Sequence, residues 1–127
     1  NDSKATNVGS LEVALQSFEQ PVVLIAGGRD KGQDFGPLRE LVQHATRAVV
    51  LIGEGADAIE RAWPHVAHVR AASLPEAVDL AFERARPRGT VLLSPGCASF
   101  DMFRDYEDRG RCFKAEVSRI QMKEAHA

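Results

Sequence analysis

Val22-Val23-Leu24-Ile25-Ala26-Gly27-Gly28-Arg29-Asp30-Lys31-Gly32-Gln33-Asp34-Phe35 is the stretch from which the fold can be read. Five apolar residues in succession, with no polar alternation, suit a strand covered on both faces. The two glycines that follow allow a tight turn and a close backbone approach by a ligand. Residues 48–52, 66–69 and 90–93 have the same apolar character. Between these runs the periodicity becomes helical. Leu11, Ala14, Leu15 and Phe18 recur at i, i+3, i+4 and i+7, and so do Leu38, Leu41, Val42 and Ala45. Pro37 suits the first helical position of the second set. Leu74, Ala77, Val78 and Ala81 form a third, and Ser73 with Glu76 reads as a capping box at its start. A last helix, about 106–123, puts Phe113, Val117 and Ile120 on one face.

The predicted order is one helix, then strand and helix four times. Such alternation builds a parallel sheet with right-handed crossovers. The expected fold is a single doubly wound α/β domain over residues 1–127, with a mainly parallel sheet and helices on both faces. Domains of this kind bind ligands outside the carboxyl ends of their strands. The loops that matter are therefore 27–36, 53–55, 70–74 and 94–105.

Composition narrows the function classes. The chain has 127 residues, 16 Lys+Arg against 18 Asp+Glu and a net charge of −2. No broad basic field for nucleic acid or anionic lipid exists, and no apolar run reaches the roughly 18 residues of a membrane span. Cys97 and Cys112 are too few for a disulfide framework and lack metal-ligand spacing. A reduced, cytoplasmic setting is expected. His65 and His68 are expected on opposite faces of a strand, which does not suit one metal ion, so no metal site is assigned. The start at Asn1-Asp2-Ser3 rather than Met points to a piece of a longer protein.

Three loops invite chemistry. Lys31 projects after the first strand, where its ammonium suits an anionic group and equally suits a solvated loop. Ser94-Pro95-Gly96-Cys97-Ala98-Ser99 ends the fourth strand. Its turn amides can face an anion, and Ser99 is either a hydroxyl donor or a helix N-cap. Cys97 reads as a packed, unreactive thiol. Gly53-Glu54-Gly55-Ala56-Asp57-Ala58 matches the G-x-G-x-x-A dinucleotide fingerprint, with Arg70 where a ribose-binding carboxylate would be expected. A free-standing nucleotide- or dinucleotide-binding module is therefore the alternative. A tight turn with close helix packing also explains these glycines.

Three stretches resemble the Mur ligases, in particular their D-glutamate-adding members. They are Asp2-Ser3-Lys4-Ala5-Thr6-Asn7, Gly27-Gly28-x-x-Lys31-x-x-Asp34-Phe35, and Ser94-Pro95-x-Cys97-Ala98-Ser99-x-Asp101-x-Phe103 continued by Tyr106-Glu107-x-Arg109-Gly110-x-x-Phe113. The resemblance spans nearly the whole chain. It implies the Rossmann-like, amino-acid-accepting C-terminal domain of a three-domain ATP-dependent ligase. UDP-sugar binding and a central ATPase would lie on other domains. In that family D-glutamate is joined to UDP-N-acetylmuramoyl-L-alanine through an acyl phosphate, during peptidoglycan precursor synthesis. By resemblance Thr6 and Lys31 hold one carboxylate of D-glutamate. Ser99 and the backbone around Phe100 and Tyr106 hold the other. Asp2 reaches the ribose hydroxyls of the nucleotide, and Lys4 lies near its phosphates. Phe100 and Tyr106 depart from the Leu and Phe common there, but keep an apolar wall. No catalytic acid or base is assigned. By the same resemblance ATP and Mg2+ belong mainly to the central domain, and these 127 residues hold no G-x-x-x-x-G-K-[ST] loop with which to bind and activate ATP in that manner. The isolated chain is accordingly expected to be inactive as a ligase; a monomer is expected.

Overall fold

The computed structural model describes residues 1–3, 6–29, 32–86, 89–96 and 103–125. In chain order the elements are α1 Val8–Gln16, β1 Val22–Gly27, a 3-10 turn Gly36–Leu38, α2 Arg39–Ala45 and β2 Thr46–Ile52. Then come α3 Ala56–Ala62, β3 His68–Arg70, α4 Leu74–Ala85, β4 Val91–Leu93 and α5 Tyr106–Ala125. Among the described residues the sheet has four strands in the order β3-β2-β1-β4, and every pairing is parallel. This is the expected doubly wound α/β architecture.

The two-residue period of a strand divides each apolar run between two cores. Val22, Leu24 and Ala26 of β1, Val49 and Leu51 of β2, and Leu92 of β4 pack with Leu11, Leu15, Leu38, Val42, Ile59 and Trp63. The alternate residues Val23, Ile25, Val50, Ile52 and Leu93 face Leu74, Ala77, Val78, Ala81, Phe113 and Ile120. So α1, α2 and α3 cover one face, and α4 and α5 the other. The chain passes from β1 to β2 to β3 along the first face. It returns beneath the sheet through α4, packed across β2 and β1, to set β4 on the far side of β1. The loops after β1 and β4 therefore leave adjacent strands toward opposite faces, which is the switch point where folds of this class form their ligand crevice.

Several local expectations change. The third strand is His68–Arg70 rather than 66–69. Trp63 is the C-cap of α3 and lies buried, its ring edge-on to Phe35 at 6.1 Å and its Nε1 donating to the Phe35 carbonyl at 2.7 Å. The turn behind it draws Val66 into the same core, so pairing begins two residues later. As a sheet edge, β3 is largely exposed and not buried on both faces. Only His68 of the two histidines lies in the strand; its Nε2 meets Glu60 at 3.2 Å. Phe18 falls beyond α1 and is exposed, because Ser17 terminates the helix by donating from its N–H to the Ala14 carbonyl. At α4, Ser73 accepts from the Glu76 N–H at 3.3 Å, but the Glu76 carboxylate turns to the N–H of Ala72 rather than of Ser73. The reciprocal half of the capping box is thus displaced by one residue.

Candidate functional site

The crevice begins at Gly27, the last residue of β1. Its φ is +123°, and a Cβ there would stand 2.0 Å from the Ile52 carbonyl oxygen, so the position admits glycine alone without rearrangement. That close approach lets three loops meet. The Gly27 N–H donates to the Pro95 carbonyl at 2.9 Å, Gly28 N–H to Ile52 at 3.1 Å, and Gly55 N–H to Gly28 at 2.7 Å. Gln33 spans the crevice mouth: its Oε1 accepts from Val8 N–H and its Nε2 donates to the Gly96 carbonyl, both at 2.8 Å.

One wall of the crevice is the segment before α1. Asp2 N–H donates to the Leu93 carbonyl at 2.6 Å, and the buried Ser94 hydroxyl donates to Asp2 Oδ2 at 2.9 Å. Ser3 continues the attachment to α5. Its hydroxyl donates to the Tyr106 carbonyl at 2.6 Å and accepts from Arg109 Nε at 3.0 Å, while Arg109 Nη2 donates to the Ser3 carbonyl at 2.8 Å. Arg109 is fully buried, where a guanidinium is stable only with such partners. Gly110 makes room: a Cβ there would lie 3.3 Å from both Asn1 Nδ2 and Ser3 Cβ. Residues 1–3 are thus stitched to the end of β4 and to the first turns of α5.

Of the residues expected at the site, Asp2 lies at this wall with its carboxylate oriented by Ser94. Thr6 is half-buried just ahead of α1, and Tyr106 opens α5, exposed, with its carbonyl bound by Ser3. Ser3 brings Asp2 and Tyr106 together; Thr6 is linked to the crevice through Val8 and Gln33. Lys4, Lys31, Cys97, Ser99 and Phe100 lie outside the described residues. Sequence reading assigned no role to Gln33, Ser3, Ser94 or Arg109. A signal existed for Arg109, which sits four residues before Phe113 on the apolar stripe of α5. None existed for Gln33, whose partners are 25 and 63 residues away.

Two of the groups that a dinucleotide would use already have partners within the chain. The Gly55 amide is used by Gly28, and Arg70 is in ion-pair contact with Asp57 and Glu60. The Arg70 hydrogen bond holds the Glu60 carboxyl below its ordinary range. Among the described residues no group of three or more His, Cys, Asp or Glu is arranged to hold a metal ion, and no helix is long and apolar enough to cross a membrane.

Fold and site together define a doubly wound, Rossmann-like α/β domain whose crevice opens at the β1–β4 switch point. The profile of the family described as "Mur ligase, glutamate ligase domain" matches residues 1–97. The chain belongs to this Mur ligase family. It is 55% identical over 118 residues to the UDP-N-acetylmuramoylalanine–D-glutamate ligase of Chlorobaculum parvum, covering 92% of this chain and 25% of that protein. The enzyme of the same name from Salinibacter ruber is 49% identical over 122 residues, covering 94% and 26%. That from Bordetella parapertussis is 53% identical over 124 residues, covering 96% and 24%. The chain spans about a quarter of the length of these curated relatives.

Proposed function

We propose that this chain is the amino-acid-accepting domain of a cytoplasmic, ATP-dependent ligase that joins D-glutamate to UDP-N-acetylmuramoyl-L-alanine. The observation that carries the reading is the Gly27–Pro95 contact at the switch point, 2.9 Å from N to O. Lys31 follows Gly27 by four residues and Ser99 follows Pro95 by four, so the two proposed anion clamps spring from touching strand ends. D-Glutamate is a dicarboxylate, and two separated clamps are what its orientation requires.

In this reading Lys31, with Thr6, holds one carboxylate. Ser99, with the backbone near Phe100 and Tyr106, holds the other. ATP transfers its γ-phosphoryl group to the carboxylate of the UDP-linked substrate, giving an acyl phosphate and ADP. The amine of the clamped D-glutamate attacks its carbonyl carbon, and the tetrahedral adduct expels phosphate to leave the amide. The domain contributes orientation, which can account for a large part of such a barrier, and no general base is needed from it. Asp2 and Lys4 address the nucleotide. A carboxylate accepts several hydrogen bonds, so the one from Ser94 orients Asp2 and leaves it able to bind a ribose hydroxyl. ATP and Mg2+ are assigned mainly to the remainder of the full-length protein.

The test is Lys31→Ala and Ser99→Ala in the full-length ligase. Charge-assisted hydrogen bonds contribute about 1.5–3 kcal/mol each, so each change should raise KM for D-glutamate by about 10- to 150-fold while KM for the UDP-linked substrate stays put. Unchanged D-glutamate kinetics in both variants would remove the assignment. NADPH and adenine nucleotide titrations that perturb Gly53, Gly55 and Arg70 instead would favour a dinucleotide module.

A further inference from the structure

We infer that Gln33 is a positioning residue that holds the three substrate-carrying loops of the crevice in register. The inference rests on the functional reading above. Gln33 is half-buried, and its amide is used at both ends: Oε1 by the Val8 N–H and Nε2 by the Gly96 carbonyl, each at 2.8 Å. The orientation is unambiguous, because a backbone N–H only donates and a carbonyl only accepts. Three chain segments converge on this one side chain. Val8 follows Thr6 by two residues, Gln33 follows Lys31 by two, and Gly96 precedes Ser99 by three. Every residue proposed to grip a D-glutamate carboxylate through its side chain is therefore within three residues of an end of the Gln33 bridge.

Among the described residues, no backbone hydrogen bond does the same work. The Gly27–Pro95 contact joins the strand ends, but it lies below the loops and does not involve α1. At α1, Asn7 Oδ1 accepts the Ser10 N–H, whereas Val8 N–H, one of the orphan donors of the first turn, is satisfied from across the crevice by Gln33. The bridge thus fixes Val8, Gln33 and Gly96 relative to one another, and each proposed clamp lies two or three residues from one of these anchors in the sequence. A ligand with two fixed carboxylates is sensitive to that separation, since small misplacements of a positioned reactant carry large kinetic costs.

Steady-state kinetics on the full-length ligase test this. Gln33→Met keeps the length and loses both hydrogen bonds; KM for D-glutamate should rise tenfold or more. KM for ATP and for the UDP-linked substrate should change less than about twofold, a split that general destabilisation does not produce. Gln33→Glu supplies a second readout and serves if Gln33→Met fails to fold. Ionised, it sets an oxygen against the Gly96 carbonyl; protonated, it restores a donor there and keeps an acceptor for Val8. A half-buried glutamate that accepts the Val8 N–H is ionised at neutral pH, so its D-glutamate KM at about pH 7.5 should rise at least as far as that of Gln33→Met. A D-glutamate KM within twofold of wild type in a folded Gln33→Met, or in a folded Gln33→Glu, overturns the inference. Lys31→Ala separates the two levels. If it raises KM while the Gln33 variants do not, the functional reading stands and the positioning role fails; if it too has no effect, both fall.

Discussion

At the scale of single residues, the crevice depends on positions where one atom more or less decides the outcome. Gly27 combines a positive φ with so close a neighbour that an added Cβ would stand 2.0 Å from the Ile52 carbonyl oxygen. Gly27→Ala must part β1 from β2 or abandon the turn, and should destabilise the chain by about 3 kcal/mol or more. The midpoint of a urea unfolding curve checks this. Cys112 is half-buried on α5 beside Asp108, with its sulfur 3.9 Å from the carboxylate. Burial first, and then the negative charge of Asp108, push its thiol pKa up. Thiolate is the reactive form, so in a Cys97→Ser background the disulfide-exchange rate of Cys112 should have a pH midpoint above that of a small-molecule thiol. An equal or lower midpoint would contradict that burial.

At the scale of elements, caps and edges explain where helices and strands begin. α4 starts at Ser73, whose hydroxyl accepts the Glu76 N–H. Ser73→Ala should cost about 1 kcal/mol, read as a shift in thermal midpoint with crevice chemistry unaffected. The strand β3 shows how a turn overrides an apolar run: Trp63 and Val66 are claimed by the core under α3 before pairing with β2 can start. On α5, Arg109 occupies a slot that periodicity reserves for an apolar side chain. It is buried there because Ser3, brought from more than 100 residues away, satisfies its guanidinium. The period of the helix was legible; the partner that makes an arginine tolerable inside it was not.

At the scale of the whole molecule, the strand order β3-β2-β1-β4 creates the crevice. Only the return of β4 to the far side of β1 brings Gly27, at the end of β1, and the Ser94–Gly96 turn together. The same scale limits what the chain does alone. With no phosphate-binding loop in its sequence, the purified 127-residue chain should show no ATP-dependent ligation, and D-glutamate should bind it weakly, with a millimolar or higher Kd. ATP turnover by the chain, or submicromolar affinity in calorimetry, would show that the site is more complete than proposed.

The sequence by itself determined the class of fold and the loops to examine. Uninterrupted apolar runs, helical spacing between them and the glycines after β1 are local patterns, and local patterns survive in one dimension. It also marked Asp2, Lys4, Thr6, Lys31, Ser99, Phe100 and Tyr106 as candidates through motif resemblance. Tertiary structure decided what those patterns meet. The pairing of Ser94 with Asp2, the Ser3–Arg109 attachment and the Gln33 bridge join residues 25 to 106 positions apart. A hydrogen bond over such a separation depends on the path of the whole chain through the sheet. No spacing within a loop encodes it.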